Sequence, residues 1–279
     1  MTSSHTITLN NNISIPQLGL GVFQVTPADA QRVVETAIEA GYRHIDTAAA
    51  YNNEAGVGAA IKSSGLPRAE LFVTTKLRNG NQGYDEALVA YDESCERLGL
   101  EQIDLYLIHW PYPSADRYVD SWRALERLHA EQRVRAVGVS NFLPEHLERL
   151  LAETELVPAV NQIELHPTYQ QRDVADFGVD RSIAVESYSP LGQGADLEHP
   201  TVVALADSYA KTPAQIVLRW HLQQGHVVIP KSNSADRIRS NFDVFDFSLS
   251  DDELATVTAM ESGSRIGGDP RTFALSQIR

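Results

Sequence analysis

Apolar residues recur along this chain in two alternating rhythms. Compact apolar runs alternate with longer stretches whose apolar positions fall three and four apart, the first pattern marking strands and the second helices. Thr6–Leu9 and Ile13–Ile15 alternate around Asn10-Asn11-Asn12. Asparagine tolerates positive φ, so this stretch predicts a β-hairpin. Gln17–Phe23 is an apolar run with glycines, and Pro27–Ala40 carries Val33, Val34, Ala37 and Ile38 on one helical side, with Gly41 as its end. Further strands are predicted at His44–Ala48, Leu71–Leu77, Ile103–Trp110, Val134–Ser140, Ala159–Leu165, Ile183–Pro190 and Val227–Lys231. Helices are predicted over Glu54–Ser64, Asp85–Leu98, Tyr118–Glu131, Pro144–Ala152, Thr201–Tyr209, Pro213–Gln224 and Ala235–Phe242, with a weak one near Arg172–Phe177. Asp251–Met260 is one helix more, announced by Ser250 with Glu253 three residues on. The Gly-rich tail from Ser262 has no period and reads as a loop.

Strands alternating with helices give a parallel sheet, and continuous apolar runs are what a sheet covered on both faces requires. Eight such units predict a (β/α)₈ TIM barrel with an N-terminal β-hairpin and an extra C-terminal helix and loop. An open Rossmann sheet is the rival. It wants G-x-G-x-x-G after the first strand, but Gly19-Leu20-Gly21 is followed by Val22-Phe23-Gln24, without the third glycine. No linker or composition break divides the chain, so residues 1–279 read as one domain.

Composition narrows the function classes. With 43% hydrophobic and 22% charged residues, the 279-residue chain has the make-up of a soluble globular protein. Its formal net charge of −14 disfavours nucleic acid and anionic membrane as partners. Cys95 is the single cysteine, which rules out an intrachain disulfide. The N-terminus lacks an apolar signal core, so the expectation is a cytoplasmic protein. His166, His221 and His226 have no ligand spacing, and no metal site is expected.

In a barrel of this kind the chemistry belongs at the C-terminal strand ends. The polar residues there are Asp46 and Tyr51 after the second strand, Lys76 on the third and His109 on the fourth. Ser140 and Asn141 end the fifth, Gln162 and Glu164 lie on the sixth, Tyr188 and Ser189 end the seventh, and Lys231 and Ser232 the eighth. Each alone has a structural reading: Asp46 as a cap, His109 as packing beside Trp110, Lys76 snorkelling. Together they suggest a proton-delivery system. A buried lysine wants a carboxylate, and the pair then faces a phenol. A phenol is a feeble acid at neutral pH; a neighbouring ammonium is expected to lower its pKa and let it protonate a carbonyl oxygen as charge develops there.

The segments GYRHIDTAAAYNNEAGVGAAI, VTTKL, LIHWP, GVSNF, NQIELHP, SYSPLGQG and VIPKS follow one another in this order. In this the chain resembles the aldo-keto reductase family over nearly its whole length, and most the bacterial branch containing 2,5-diketo-gluconate reductases. The resemblance implies hydride transfer from NADPH to an aldehyde or ketone. It implies Tyr51 as proton donor, Lys76 and Asp46 as the pair that tunes it, and His109 as the group that orients the carbonyl. It implies Ser140, Asn141 and Gln162 around the nicotinamide carboxamide, with Tyr188 stacked on its ring. Ser189 and Leu191 would lie along the pyrophosphate, Lys231, Ser232 and Arg237 would hold the 2′-phosphate, and Asn241 the adenine. Phe23 and Trp110 match aromatic positions of the family's substrate pocket, and the tail around Arg265–Phe273 its specificity loop. A monomer and a small carbonyl substrate follow from the same resemblance. Two alternatives stay open: a Schiff-base aldolase using Lys76, and a non-catalytic NADPH-binding sensor subunit.

Overall fold

The computed structural model describes residues 5–275; the last four residues of the predicted tail loop lie outside them. A hairpin, β1 (Thr6–Thr8) and β2 (Ser14–Pro16), comes first, with Asn12 at φ 64° in its turn. Eight parallel strands follow: β3 (Leu20–Gly21), β4 (His44–Asp46), β5 (Phe72–Leu77), β6 (Ile103–Ile108), β7 (Val134–Ser140), β8 (Val160–Glu164), β9 (Ala184–Tyr188) and β10 (Val227–Val228). They pair in chain order, and the Leu18–Val228 bridge closes the first on the last. The predicted barrel is the observed one. At this seam Gly21 donates its N–H to Pro230 O at 3.1 Å, and a Cβ on Gly21 would lie 2.9 Å from Ile229 O. The glycines of the first strand thus let two short strands approach closely enough to close the sheet.

The helices are α1 (Pro27–Ala40), α2 (Glu54–Ser63), α3 (Tyr84–Leu98), α4 (Tyr118–Ala130), α5 (Pro144–Glu153), α6 (Arg172–Val179), α7 (Pro200–Tyr209), α8 (Pro213–Gln223), α9 (Ala235–Phe242) and α10 (Asp251–Thr258). Local chemistry sets their ends. Thr26 caps α1 and Gly41 terminates it at φ 111°, the left-handed region where a side chain is penalised. Capping boxes start α8 (Thr212 with Gln215) and α10 (Ser250 with Glu253). The strand at His44–Ala48 is shorter than its apolar run: it stops at Asp46, and Ala49–Tyr51 turn into a short 3₁₀ segment. His109 and Trp110 follow β6 rather than end it, and β10 spans two residues of the five predicted.

Strand residues alternate between the barrel interior and the helices. On β5, Thr75 Oγ1 reaches the α2 carboxylate of Glu54 at 2.6 Å, so Lys76 next to it points the other way, inward. The lower interior is apolar. Leu9 and Ile15 of the hairpin pack with Phe72, Leu105, Leu107, Ala136, Val160 and Val227. Asn10 and Asn11 fasten the hairpin by donating to Pro158 O and Arg135 O, each at 3.0 Å. With that end plugged, the polar residues of the strands gather in the upper interior and at the opposite rim.

Candidate active site

Lys76 lies at the centre of this polar half. Its Nζ donates to Asp46 Oδ1 at 2.6 Å and to Thr47 O at 2.8 Å, and neither side chain has more than 2% exposure. An ion pair this deep persists only when its remaining valences are met. The other oxygen of Asp46 accepts from Gln162 Nε2 at 2.8 Å. Burial holds the Asp46 carboxyl above its ordinary value, although the Lys76 charge and the bonds from Lys76 and Gln162 draw it down.

Tyr51 lies above the pair. Its ring centroid is 5.2 Å from Lys76 Nζ, 5.6 Å from the His109 ring and 5.1 Å from the Phe23 ring. The four residues expected to form the proton-delivery group are therefore neighbours, although they come from three loop-strand units. One expectation is corrected. Burial, joined by the Asp46 and Glu186 carboxylates, holds the Tyr51 phenol well above its ordinary pKa instead of lowering it. The ammonium that was to lower it is already committed to Asp46 and Thr47. Burial, with the Lys76 charge behind it, likewise holds His109 well below the usual imidazole range, so its ring is neutral.

A chain of amide and hydroxyl contacts runs from His109 to Tyr188. Asn141 sits at φ 64°, a left-handed position that asparagine tolerates. Its Nδ2 donates to His109 O at 3.0 Å and Ser140 Oγ at 3.1 Å, and its Oδ1 accepts from Tyr188 Oη at 2.8 Å. Ser140 Oγ in turn donates to Gln162 O at 2.8 Å. Ser140, Asn141, Gln162 and Tyr188 thus form one network beside the Asp46–Lys76 pair. Both Asn141 N–H groups are spent within the protein, so what it still offers an outside amide is an oxygen lone pair. Tyr188 is half-buried, with its hydroxyl tied down.

The predicted phosphate-binding residues form a second cluster, on the loop after β10 and the start of α9. Arg237 Nε donates to Ser232 Oγ at 3.3 Å, and Ser234 caps the helix. Neither Lys231 nor Arg237 makes an ion pair among the described residues of this acidic chain. Asn241, 5% exposed, makes no side-chain hydrogen bond among them either. Two unpaired cations, a hydroxyl and an unspent amide are a donor set that suits a phosphate beside a polar ring. Ser189 (φ 47°) and Leu191 lie on the loop after β9, the neighbour of β10.

Phe23 is half-buried at the rim. Trp110 is stacked under Phe273 of the C-terminal tail, with ring centroids 3.9 Å apart, and its carbonyl accepts from Gln82 Nε2 at 2.7 Å. The tail therefore folds back over the mouth. Phe273 lay within the predicted specificity loop, but nothing in its local sequence singles it out. Glu186 and His44, both fully buried in the barrel interior, were missed as well, because inside an apolar strand run a lone polar residue gives no sign of what it faces.

Lys76 also weighs against the aldolase alternative. Its Nζ lies 2.6 Å from Asp46 Oδ1 and 2.8 Å from Thr47 O in a fully buried site, and leaving them to attack a carbonyl carbon would strand a buried carboxylate. No helix among the described residues is long and apolar enough to cross a membrane.

Comparison with known proteins agrees with this architecture. A model described as the aldo/keto reductase family matches residues 17–262. An aldo-keto reductase of Mycolicibacterium smegmatis is 53% identical over 267 residues, which is 96% of this chain and 97% of that protein. A 9,11-endoperoxide prostaglandin H2 reductase of Trypanosoma cruzi is 49% identical over 271 residues, 96% of this chain and 95% of that protein. Among solved structures, a mutant of Gox0644 in complex with NADPH matches with a TM-score of 0.94 at 44% identity, covering 97% of this chain and 99% of the other. Bombyx mori aldo-keto reductase in complex with NADP matches with a TM-score of 0.89 at 36% identity, covering 95% of each. The chain belongs to the aldo/keto reductase family.

Proposed function

We propose that this chain is an NADPH-dependent reductase of aldehydes and ketones, with Tyr51 as its proton donor. The observation that carries the reading is the meeting of Tyr51, the buried Asp46–Lys76 pair and neutral His109 at the active rim of the barrel. The structures of two relatives in complex with NADPH and NADP support the cofactor. Lys231, Ser232 and Arg237 would hold its 2′-phosphate and favour NADPH over NADH, Ser189 and Leu191 would follow its pyrophosphate, and Asn241 its adenine. Gln162 and the free lone pair of Asn141 would orient its carboxamide beside Tyr188, with Ser140 fixing the backbone between them.

When bound, NADPH supplies a hydride to the carbonyl carbon. The protein's part is position and electrostatics. Neutral His109 has an N–H to direct at the carbonyl oxygen and fix the substrate's orientation. The raised pKa of Tyr51 keeps its proton in place through binding, and an alkoxide is a far stronger base than a phenolate, so the proton moves only as the alkoxide forms. The Lys76 ammonium then stabilises the phenolate left behind, and Asp46 keeps Lys76 in place. Phe23 and Trp110 would wall the pocket and exclude water.

The test is NADPH consumption across a panel of aldehydes, ketones and diketo sugars. Tyr51→Phe should lower kcat about 10²–10⁴-fold, the usual worth of a positioned general acid, with NADPH affinity unchanged. The Tyr51 hydroxyl makes no hydrogen bond among the described residues, so its removal leaves the fold intact. A variant with near-wild-type kcat would refute the assignment.

A further inference from the structure

At the edge of the mouth, away from Tyr51, lies a second buried ionic group that the reaction does not use. His166 is fully buried between two carboxylates. Its Nδ1 is 3.0 Å from Asp196 Oδ2 and its Nε2 is 3.3 Å from Glu164 Oε1. Both acids are at most 2% exposed. The three residues come from different places: Glu164 ends β8, His166 follows it, and Asp196 lies in the 3₁₀ segment Gly192–Glu198 of the loop after β9.

Each carboxylate is also bonded to a further loop or tail segment. Glu164 accepts two backbone N–H groups of the C-terminal tail, Ile266 at 2.6 Å and Gly267 at 2.7 Å. A Cβ on Gly267 would stand 2.6 Å from Glu164 Oε2 and 3.3 Å from Tyr188 Oη, so the tail passes directly over the Tyr188 hydroxyl. Asp196 accepts Thr168 Oγ1 at 2.7 Å, and a Cβ on Gly192 would stand 2.7 Å from its carboxyl carbon. Thr168 O closes the circuit by accepting the N–H groups of Ser262 and Ser264, each at 3.1 Å. The loop after β9 is the one assigned above to the pyrophosphate, and the tail is the one that lays Phe273 on Trp110.

We propose that His166 is a positioning residue whose imidazolium fastens the cofactor-side loop Gly192–Glu198 and the substrate-side strap Ile266–Gly267 to one post, so that the two sides of the mouth are held together. The assignment of the sides rests on the function proposed above; the fastening does not. The electrostatics fit the geometry. Asp196 and Glu164 outweigh the cost of burial and hold His166 up at about 9, while the imidazolium and the bonds it makes keep both carboxyls below their usual range. The other titratable neighbours are His221, which burial keeps neutral, and the Tyr169 phenol, whose ring lies 6.0 Å from that of His166 with the Arg265 guanidinium on it at 4.8 Å. The His166 pKa is raised on folding, so the fastening is complete below about 6.5, the ordinary imidazole value, and is lost as pH rises through about 9.

Amide hydrogen exchange of the full chain tests this without turnover. His166→Gln, of similar reach but uncharged, should raise exchange in Gly192–Glu198 and in Ile266–Gly267 together, about tenfold at neutral pH, as expected for loss of a charged hydrogen-bonding group. Glu164→Gln should loosen the strap more than the loop, and Asp196→Asn the loop more than the strap. In the enzyme assay, KM for NADPH and for the carbonyl should rise together in His166→Gln with kcat little changed. If His166→Gln does not fold, trypsin cleavage after Arg265 in the wild-type protein decides: it should accelerate, beyond the enzyme's own pH profile, as pH passes about 9. Unchanged exchange in both segments, loosening of only one by His166→Gln, or a flat cleavage profile would overturn the proposal. Failure of NADPH oxidation alone would sink the proposed function and leave this fastening standing.

Discussion

Removing Lys76 should cost the fold an amount that depends on pH in a way the structure fixes. In Lys76→Met, Asp46 loses its counter-charge and one bond at 2.6 Å and keeps, among the described residues, the side-chain bond from Gln162. A carboxylate left so deep takes up a proton rather than stay charged. Starting from the ordinary value of 3.8, holding that carboxyl neutral costs about 1.4 kcal/mol per pH unit. Because burial already raises Asp46 in the wild type, the added penalty is at most about 4 kcal/mol at pH 7 and about 2 kcal/mol at pH 5, comparable to the roughly 3–5 kcal/mol for breaking buried ion pairs. The sign follows because the folded variant binds the extra proton, so its stability falls as pH rises. At pH 7 that upper bound corresponds to a Tm lower by up to roughly 8–16 °C. Urea denaturation of wild type and variant at pH 5 and pH 7 measures the gap. The double variant Asp46→Asn, Lys76→Met carries no charge at this pair and should regain most of the stability while remaining inactive. A gap that does not change between the two pH values, or a double variant no more stable than Lys76→Met, would show that the pair does not carry the electrostatic load assigned to it.

Two further outcomes follow. Lys231→Ala and Arg237→Ala should each raise KM for NADPH more than for NADH, since neither cation has an ion-pair partner among the described residues to lose; equal effects on the two cofactors, read from initial rates, would remove the 2′-phosphate role. Glu186 is fully buried, neither of its oxygens has a hydrogen bond among the described residues, and the imidazole nitrogen of His44 is 3.6 Å away. Burial, reinforced by Asp46, pushes Glu186 up to about 8 and, with Lys76, pushes His44 down to about 3, so both are neutral at pH 7. A carboxyl whose pKa rises on folding takes stability away as pH climbs from 4.5 to about 8. Glu186→Gln should flatten that slope in urea denaturation series, and parallel slopes for the two proteins would contradict it.

The barrel was legible because its signal is periodic and local. Apolar runs and helical stripes are written residue by residue, and caps such as Ser250 with Glu253 need only a few neighbours. Strand ends were less legible. The apolar run through Ala48 continues past the last ladder contact, because Ala49–Tyr51 must turn to bring the phenol back over Lys76. The four candidate residues were singled out because barrel chemistry collects at strand ends, and the long motifs fixed which residues to compare; the structure brings their side chains together. The direction of the Tyr51 shift could not be read in that way: it depends on how deeply the ring is buried and on where the ammonium spends its hydrogen bonds, and adjacency alone gives the opposite sign.

The Glu164–His166–Asp196 group marks the same boundary. NQIELHP places Glu164 and His166 two residues apart, yet nothing in it announces Asp196, thirty residues on, or the backbone of Ile266 and Gly267. By itself the sequence determined the alternation of strands and helices and the closure into eight units, and it named the candidate proton-delivery residues. Only the tertiary structure decided which charges are paired, which are neutral and which segments they tie together. The reason is physical: periodicity and capping are local properties of the chain, whereas a pKa or a fastening is set by the dielectric and the partners that folding brings from far along it.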